Sequence, residues 1–139
     1  MACQGRAPGA LKTRVIVREQ MLLLLIEASP SYRLPEENQE LLYVMLGNFA
    51  DHLLKLYKEG HAEELSAVAR VIERLHIEGD HEVREAATIG LLEGIQNGWS
   101  HSDTDPELFV PYLLPVSAKW WRSLNDFWSG KSKFVGEGL

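Results

Sequence analysis

The chain is poor in the features that most often announce a function. It has one cysteine, Cys3, in 139 residues, which excludes a disulfide framework and a cysteine-based zinc site. It fits a reducing compartment. The apolar run that follows the basic residues Arg6, Lys12, Arg14 and Arg18 is only Met21 to Ile26, bracketed by Glu19 and Glu27. A membrane span needs about 20 apolar residues, and a signal peptide about 7–15 with a small-residue cleavage site. A cytoplasmic protein is therefore expected. No Gly-rich phosphate loop occurs, and no stretch alternates apolar and polar residues long enough for a strand.

Positive charge is scarce in one place. Residues 73–107 hold only Arg74 and Arg84 against nine acids, whereas residues 1–72 hold eight Lys/Arg against nine Asp/Glu and residues 108–139 hold four against two. The formal net charge of −6 therefore sits in the middle of the chain. Such a field repels nucleic acid and attracts a basic partner. A solvated acidic face that serves only solubility is the plainer alternative.

What is present is helical periodicity. The stretch Leu65 to Asn97 is organised as two helices joined at Gly79-Asp80. Leu65, Val68, Ala69, Ile72 and Leu75 recur at three- and four-residue steps. Gly79 is expected to end that helix in the left-handed conformation, and Asp80 to cap the next. The second helix carries a seam of small residues, Val83, Ala87, Gly90 and Gly94, with Ala86 beside it. Glycine costs about 1 kcal/mol against alanine inside a helix, so two of them imply close approach of a neighbouring helix.

The rest follows the same rules. Residues 1–13 are expected to be a disordered leader, 14–130 one helical domain, and 131–139 a flexible tail. A first, well-buried helix is predicted from Val15 to Ala28, ended by Ser29-Pro30. Pro35, Glu36 and Glu37 are expected to open a long second helix with a stripe of Leu42, Met45, Phe49, Leu53 and Leu56, stopped by Gly60. Asp105 and Pro106 mark the start of a short helix bent by Pro111. Ser117 is expected to cap a last helix whose apolar side carries Trp120, Trp121, Leu124, Phe127 and Trp128. The fold class is all-α, a single-domain bundle of five to six helices.

Catalytic chemistry has weak support. His76 and His81 flank Glu78 and Asp80, but Gly79 breaks the helix that a His-Glu-x-x-His zinc site would need. His76 is read instead as a helix C-terminal residue that favours the dipole when protonated. Glu82, Glu85 and Glu93 form a solvated row, not two acids facing across a cleft. No metal, cofactor or catalytic residue is expected, with a small metal-dependent enzyme kept as a minor alternative. The tryptophans read mainly as core, although adjacent Trp120 and Trp121 point about 100° apart, so one is expected to be partly covered. On the fourth helix, Ile89 and Leu92 share an arc with Glu82, Glu85, Glu93 and Gln96. Apolar anchors inside an acidic rim suit a protein interface, unless the tryptophan helix covers them.

The segment RLHIEGDHEVREAATIGLLEGI resembles a helical repeat of the HEAT-like kind. The succession IEASPSY, LYKEG, VIERLHIEGDHEVREAATIGLLEGIQN and WWRSLNDFWSG resembles a family of small, uncharacterised bacterial helical proteins that includes candidates for toxin immunity proteins. That resemblance implies a non-enzymatic module that binds and neutralises a toxin or effector domain. Together with the central acidity it makes a basic partner the expectation, bound through Asp80, Glu82, Glu85, Ile89, Glu93 and Gln96, with His101 and Asp103. A helical adaptor or dimerising scaffold with a non-toxin partner is the alternative.

Overall fold

The computed structural model describes residues 14–36 and 41–139. The expected disordered leader, 1–13, lies outside the described residues. Among the described residues there are six α-helices: α1 (Arg18–Ala28), α2 (Leu42–Glu59), α3 (Ala62–Glu78), α4 (His81–Glu85), α5 (Glu93–His101) and α6 (Pro115–Trp128). A π-helical segment, Ala86–Leu92, joins α4 to α5 without interruption, and a 3-10 helix, Pro106–Tyr112, precedes α6. The only strand-like pairing among the described residues is a single parallel bridge between Ile16 and Gly79. The described residues form one all-helical domain.

α3 lies at the centre of the packing. α1 and α6 lie against it, and α2 runs between α3 and the π–α5 arm. The core joins the predicted stripes. Leu42, Met45, Phe49, Leu53 and Leu56 of α2 are buried, as are Leu65, Val68, Ala69, Ile72 and Leu75 of α3. Gly60 ends α2 at φ 82°, the left-handed region open to glycine.

Three expectations are corrected. α2 begins at Leu42, and Pro35 and Glu36 are not helical; the expected Glu37 start lies outside the described residues. Tyr32 explains the change. It is buried, its hydroxyl donates to Asn48 Oδ1 at 2.6 Å, and its ring meets Phe49 edge-on at 5.0 Å. A helix running from Pro35 would put that residue about 20 Å along the axis from Asn48, while three residues of chain extend only about 10 Å. α1 is also shorter and more exposed than expected. Val15 to Val17 are held outside it by the bridge, and of the run Met21 to Ile26 only Met21 and Leu25 are buried, with Leu23 63% exposed.

Gly79 is the third correction. It is extended, at φ −73° and ψ 152°, because it pairs with Ile16: the Ile16 N–H donates to Glu78 O at 2.9 Å and the Asp80 N–H to Ile16 O at 3.0 Å. Glycine is needed there for space. A Cβ would collide with the Leu75 carbonyl oxygen and lie 2.5 Å from Val83 Cγ1. Asp80 caps α4 as expected, accepting from the Val83 N–H at 2.9 Å.

The small-residue seam lies against α2. A Cβ at Gly90 would lie 2.7 Å from Leu46 Cδ1, and one at Gly94 would lie 3.5 Å from Ala50 Cβ. Replacing Gly90 by Leu should cost at least about 1–3 kcal/mol, as overpacking does. Gly90→Ala should be mild, since only a methyl end must move and helix propensity returns about 1 kcal/mol. Gly79→Ala should be worse than Gly90→Ala, because the backbone carbonyl of Leu75 cannot step aside. Urea unfolding of the three variants tests this order; a Gly79→Ala protein as stable as the parent would contradict it.

Candidate protein-binding surface

The arm from His81 to His101 is not a uniform α-helix. The Glu93 N–H bonds the carbonyl of Thr88, five residues back, the signature of a π turn. Widening the helix inserts about one residue, roughly 100° of rotation, relative to a straight α-helix. Residues after the wide turn therefore leave the arc shared by those before it. Leu92, open in the sequence to cover by the tryptophan helix, is fully buried, and Gln96, expected at the surface, is only 8% exposed.

Thr88 sits inside the wide turn and opens a buried polar network. His76 Nε2 lies 3.0 Å from Thr88 Oγ1, and His76 Nδ1 lies 2.9 Å from Ser117 Oγ. The Glu73 carboxylate accepts the N–H groups of Val116 at 3.0 Å and Ser117 at 2.9 Å. Those are donors of the first turn of α6, so Glu73 of α3 caps α6 from the side. Ser117, expected to be the cap, is instead a buried residue inside a helix that starts at Pro115. The Trp120 ring lies parallel to His76, 6.4 Å between centroids.

The network sets two pKa values. Burial pushes His76 down to about 4, against the opposing pull of Glu73. His76 is therefore neutral near pH 7, not the protonated dipole partner expected. Burial alone would raise Glu73, but the donated N–H groups of Ser117 and Val116 hold it below the ordinary carboxylate range.

Over the π turn, Ile89, Thr88, Trp120 and Val135 line a mainly apolar groove of about 380 Å³, with His81, Arg84 and Glu85 at its rim. Residues 131–139, read above as a flexible tail, form turns that supply Val135 to this groove. The Gly136 N–H donates to Ser123 Oγ at 2.5 Å, and a Cβ on Gly136 would lie 2.9 Å from the Trp120 ring.

The expected contact residues separate into two groups. Glu82, Glu85, His101 and Asp103 are exposed, and Ile89 is half-buried at the groove. Asp80, Glu93 and Gln96 have internal work. Asp80 caps α4, Glu93 Oε2 accepts from Trp128 Nε1 at 3.0 Å, and Gln96 Nε2 donates to Asn125 Oδ1 at 3.1 Å. Gln96 is thereby withdrawn from the surface. Other acids of the central stretch are engaged as well. Asp105 caps the 3-10 helix through the Glu107 N–H, Glu107 holds Trp121 Nε1 at 2.8 Å, and Glu78 pairs with Arg74 at 3.1 Å. Glu82 pairs with Arg18 at 3.0 Å, whereas Glu85 has no cation within ion-pair distance among the described residues. The central acidity is thus largely spent on holding helices together.

Trp99 and Trp121 are core and Trp120 is half-buried, as the angle between the adjacent pair suggests, but Trp128, expected on the apolar side of the last helix, is 61% exposed. A second polar cluster, not foreseen, sits where α1, α2 and α3 meet. Ser29 Oγ donates to Glu64 Oε2 and lies 2.9 Å from His52 Nε2. Ser31 Oγ donates to the same carboxylate oxygen at 2.5 Å. Its members lie far apart in sequence and at no recurring spacing, so only the fold could unite them. Among the described residues no group of three or more His, Cys, Asp or Glu side chains is placed to hold a metal ion, and no helix is long and apolar enough to cross a membrane.

The fold defines a small, single-domain, all-α protein with buried polar networks and one apolar groove over a π turn. The family model described as Domain of unknown function (DUF7674) matches residues 22–129, from α1 to the end of α6, and the chain belongs to that family. No curated protein and no solved structure matches the chain.

The buried histidine gives a pH dependence. Its folded pKa lies below the 6.5 of an unperturbed histidine, so the unfolded chain takes up a proton that the folded chain refuses. The stability His76 supports is complete above pH 6.5 and is lost as pH falls toward 4, with a slope approaching about 1.4 kcal/mol per pH unit. Glu73, held low, adds its own loss below its ordinary range. Urea unfolding from pH 7.5 to 4 should show this decline, and His76→Gln should flatten it between pH 6.5 and 4. An unchanged slope in that variant would place the titration elsewhere.

Proposed function

We propose that this chain is a non-enzymatic protein-binding module, and that it acts as a cytoplasmic immunity protein that binds and neutralises a basic toxin or effector domain. The observation that carries the binding reading is the groove over the π turn. Ile89, Trp120 and Val135 offer an apolar seat for an anchor side chain, and Glu85 stands exposed at its rim. Protein interfaces concentrate affinity in such seats, surrounded by charges that set partner choice and association rate. The polar atoms of His76 and Ser117 are engaged with one another and buried, which suits a structural role for them. The resemblance to candidate immunity proteins and the acidic centre of the chain support the finer reading.

Co-expression with the product of the adjacent gene tests it. The two proteins should co-purify, and growth inhibition by that product should be relieved. Ile89→Asp should weaken the complex at least about tenfold, as loss of a central anchor does. Glu85→Lys should slow association and flatten its salt dependence while unfolding moves by less than about 0.5 kcal/mol. An adjacent product that is neither toxic nor retained at low salt would remove the immunity reading.

A helical adaptor or self-associating scaffold is the second reading, favoured by the exposure of Trp128, Phe134 and Leu139 at the C-terminal end. Light scattering separates it: a concentration-dependent dimer abolished by Trp128→Ser would favour it, and a strict monomer would count against it.

A further inference from the structure

α1 is apolar on more sides than one core covers. Of the run Met21 to Ile26 only Met21 and Leu25 are buried, and Leu23 is 63% exposed. A helix that is apolar all round is normally covered on its outer side as well. Gln20, Leu23, Leu24 and Glu27 fall at positions i, i+3, i+4 and i+7, one face of the helix. All four line a single groove of about 520 Å³ between α1 and the end of α3. Val15, itself exposed, forms part of its wall. Both polar ends of this face have bonding capacity to spare. Gln20 Oε1 accepts from the Val17 N–H at 3.0 Å, while its amide nitrogen donates to no acceptor among the described residues. Glu27 has no cation within ion-pair distance among the described residues. It stands in the last turn of α1, which holds no basic residue, and there the negative end of the helix dipole opposes its charge.

We infer that this face docks against the same face of a second copy of the chain, with the two α1 helices antiparallel about a two-fold axis near Leu23 and Leu24. The order of the residues decides the occupant. Gln20 and Glu27 stand equally far from the midpoint between Leu23 and Leu24. An antiparallel copy therefore sets each Gln20 opposite a Glu27 and each Leu23 opposite a Leu24. The amide donates to the carboxylate at both ends at once, as a self-complementary contact requires. Glu27 also comes to the first turn of the opposing α1, the positive end of that dipole. A parallel copy would bring Glu27 to Glu27 and leave the two amides facing one another. Leu23 of each copy enters the groove of the other, which removes an exposed side chain from water. This groove shares no residue with the one over the π turn, so the contact stands whether or not that site binds a partner.

Analytical ultracentrifugation of the full chain over a concentration series tests it. A reversible monomer–dimer equilibrium is expected, and a weak one, because a helix of 11 residues from each copy makes a small interface. Gln20, Leu23 and Glu27 are all exposed, so unfolding does not imitate the effect of changing them. Leu23→Glu should weaken association at least about tenfold, as loss of a central anchor does. Glu27→Lys, acting at two symmetric contacts, should weaken it roughly three- to tenfold. Urea unfolding of that variant should be unchanged or slightly strengthened, since a cation suits the last turn of its own helix. Gln20→Glu keeps the oxygen that holds Val17 and should also weaken association, because two acids then face each other. Combining Gln20→Glu with Glu27→Lys should restore the dimer, which parallel pairing would not do. A double variant that does not recover would overturn the proposal, as would a chain that stays monomeric throughout. A dimer kept by Leu23→Glu and lost with Trp128→Ser would overturn it in favour of the C-terminal end. Co-sedimentation with phosphatidylcholine vesicles that Leu23→Glu abolishes would assign the face to a lipid surface and equally overturn it.

Discussion

The hydrogen bonds from the first turn of α6 to Glu73 govern how the C-terminal half is assembled. A helix that starts inside a protein brings N–H groups with no partner in their own helix, and leaving such groups buried and unpaired costs about 1–3 kcal/mol each. α6 has no capping side chain at Leu114. The carboxylate of Glu73, one turn before His76 on α3, meets that need at Val116 and Ser117. Once α6 starts there, Ser117 reaches His76, Trp120 lies along the imidazole, and Trp121 and Leu124 enter the core. The π turn fits the same constraint, because Thr88 completes the second nitrogen of His76.

The helices were legible wherever burial repeats at 3.6 residues and the stop is a local event. Gly60, Asp80 and Asp105 act on their immediate neighbours, and each does what its residue type suggests. The close contact of Gly90 and Gly94 was legible too, since two glycines inside a helix need a steric reason. What escaped were features whose cause lies elsewhere in the chain. Gly79 is extended because Ile16 pairs with it from more than sixty positions away, and α2 starts late because Tyr32 is tied to Asn48.

The candidate surface was legible only in part, for one geometric reason. Helical-wheel reasoning assumes constant rotation per residue, and the π turn breaks that assumption between Glu85 and Glu93. Residues before it, Glu82 and Glu85, stay on the face the wheel gave them. Within it Leu92 turns into the protein, and beyond it Gln96 does the same while Glu93 turns toward Trp128.

The division of labour among the central acids bears on how such a sequence drifts. Glu73, Asp80, Asp105 and Glu107 accept from backbone or indole N–H groups that have no better partner. A change at any of them is filtered by folding before partner choice comes into play. Glu85 carries the same charge without such duties. Substitutions there are nearly neutral for the fold, so selection sees them only through what they touch outside. One acidic stretch thus holds two kinds of position, a fixed frame and a variable coat, and relatives with the same architecture are free to diverge in the coat while the frame stays still.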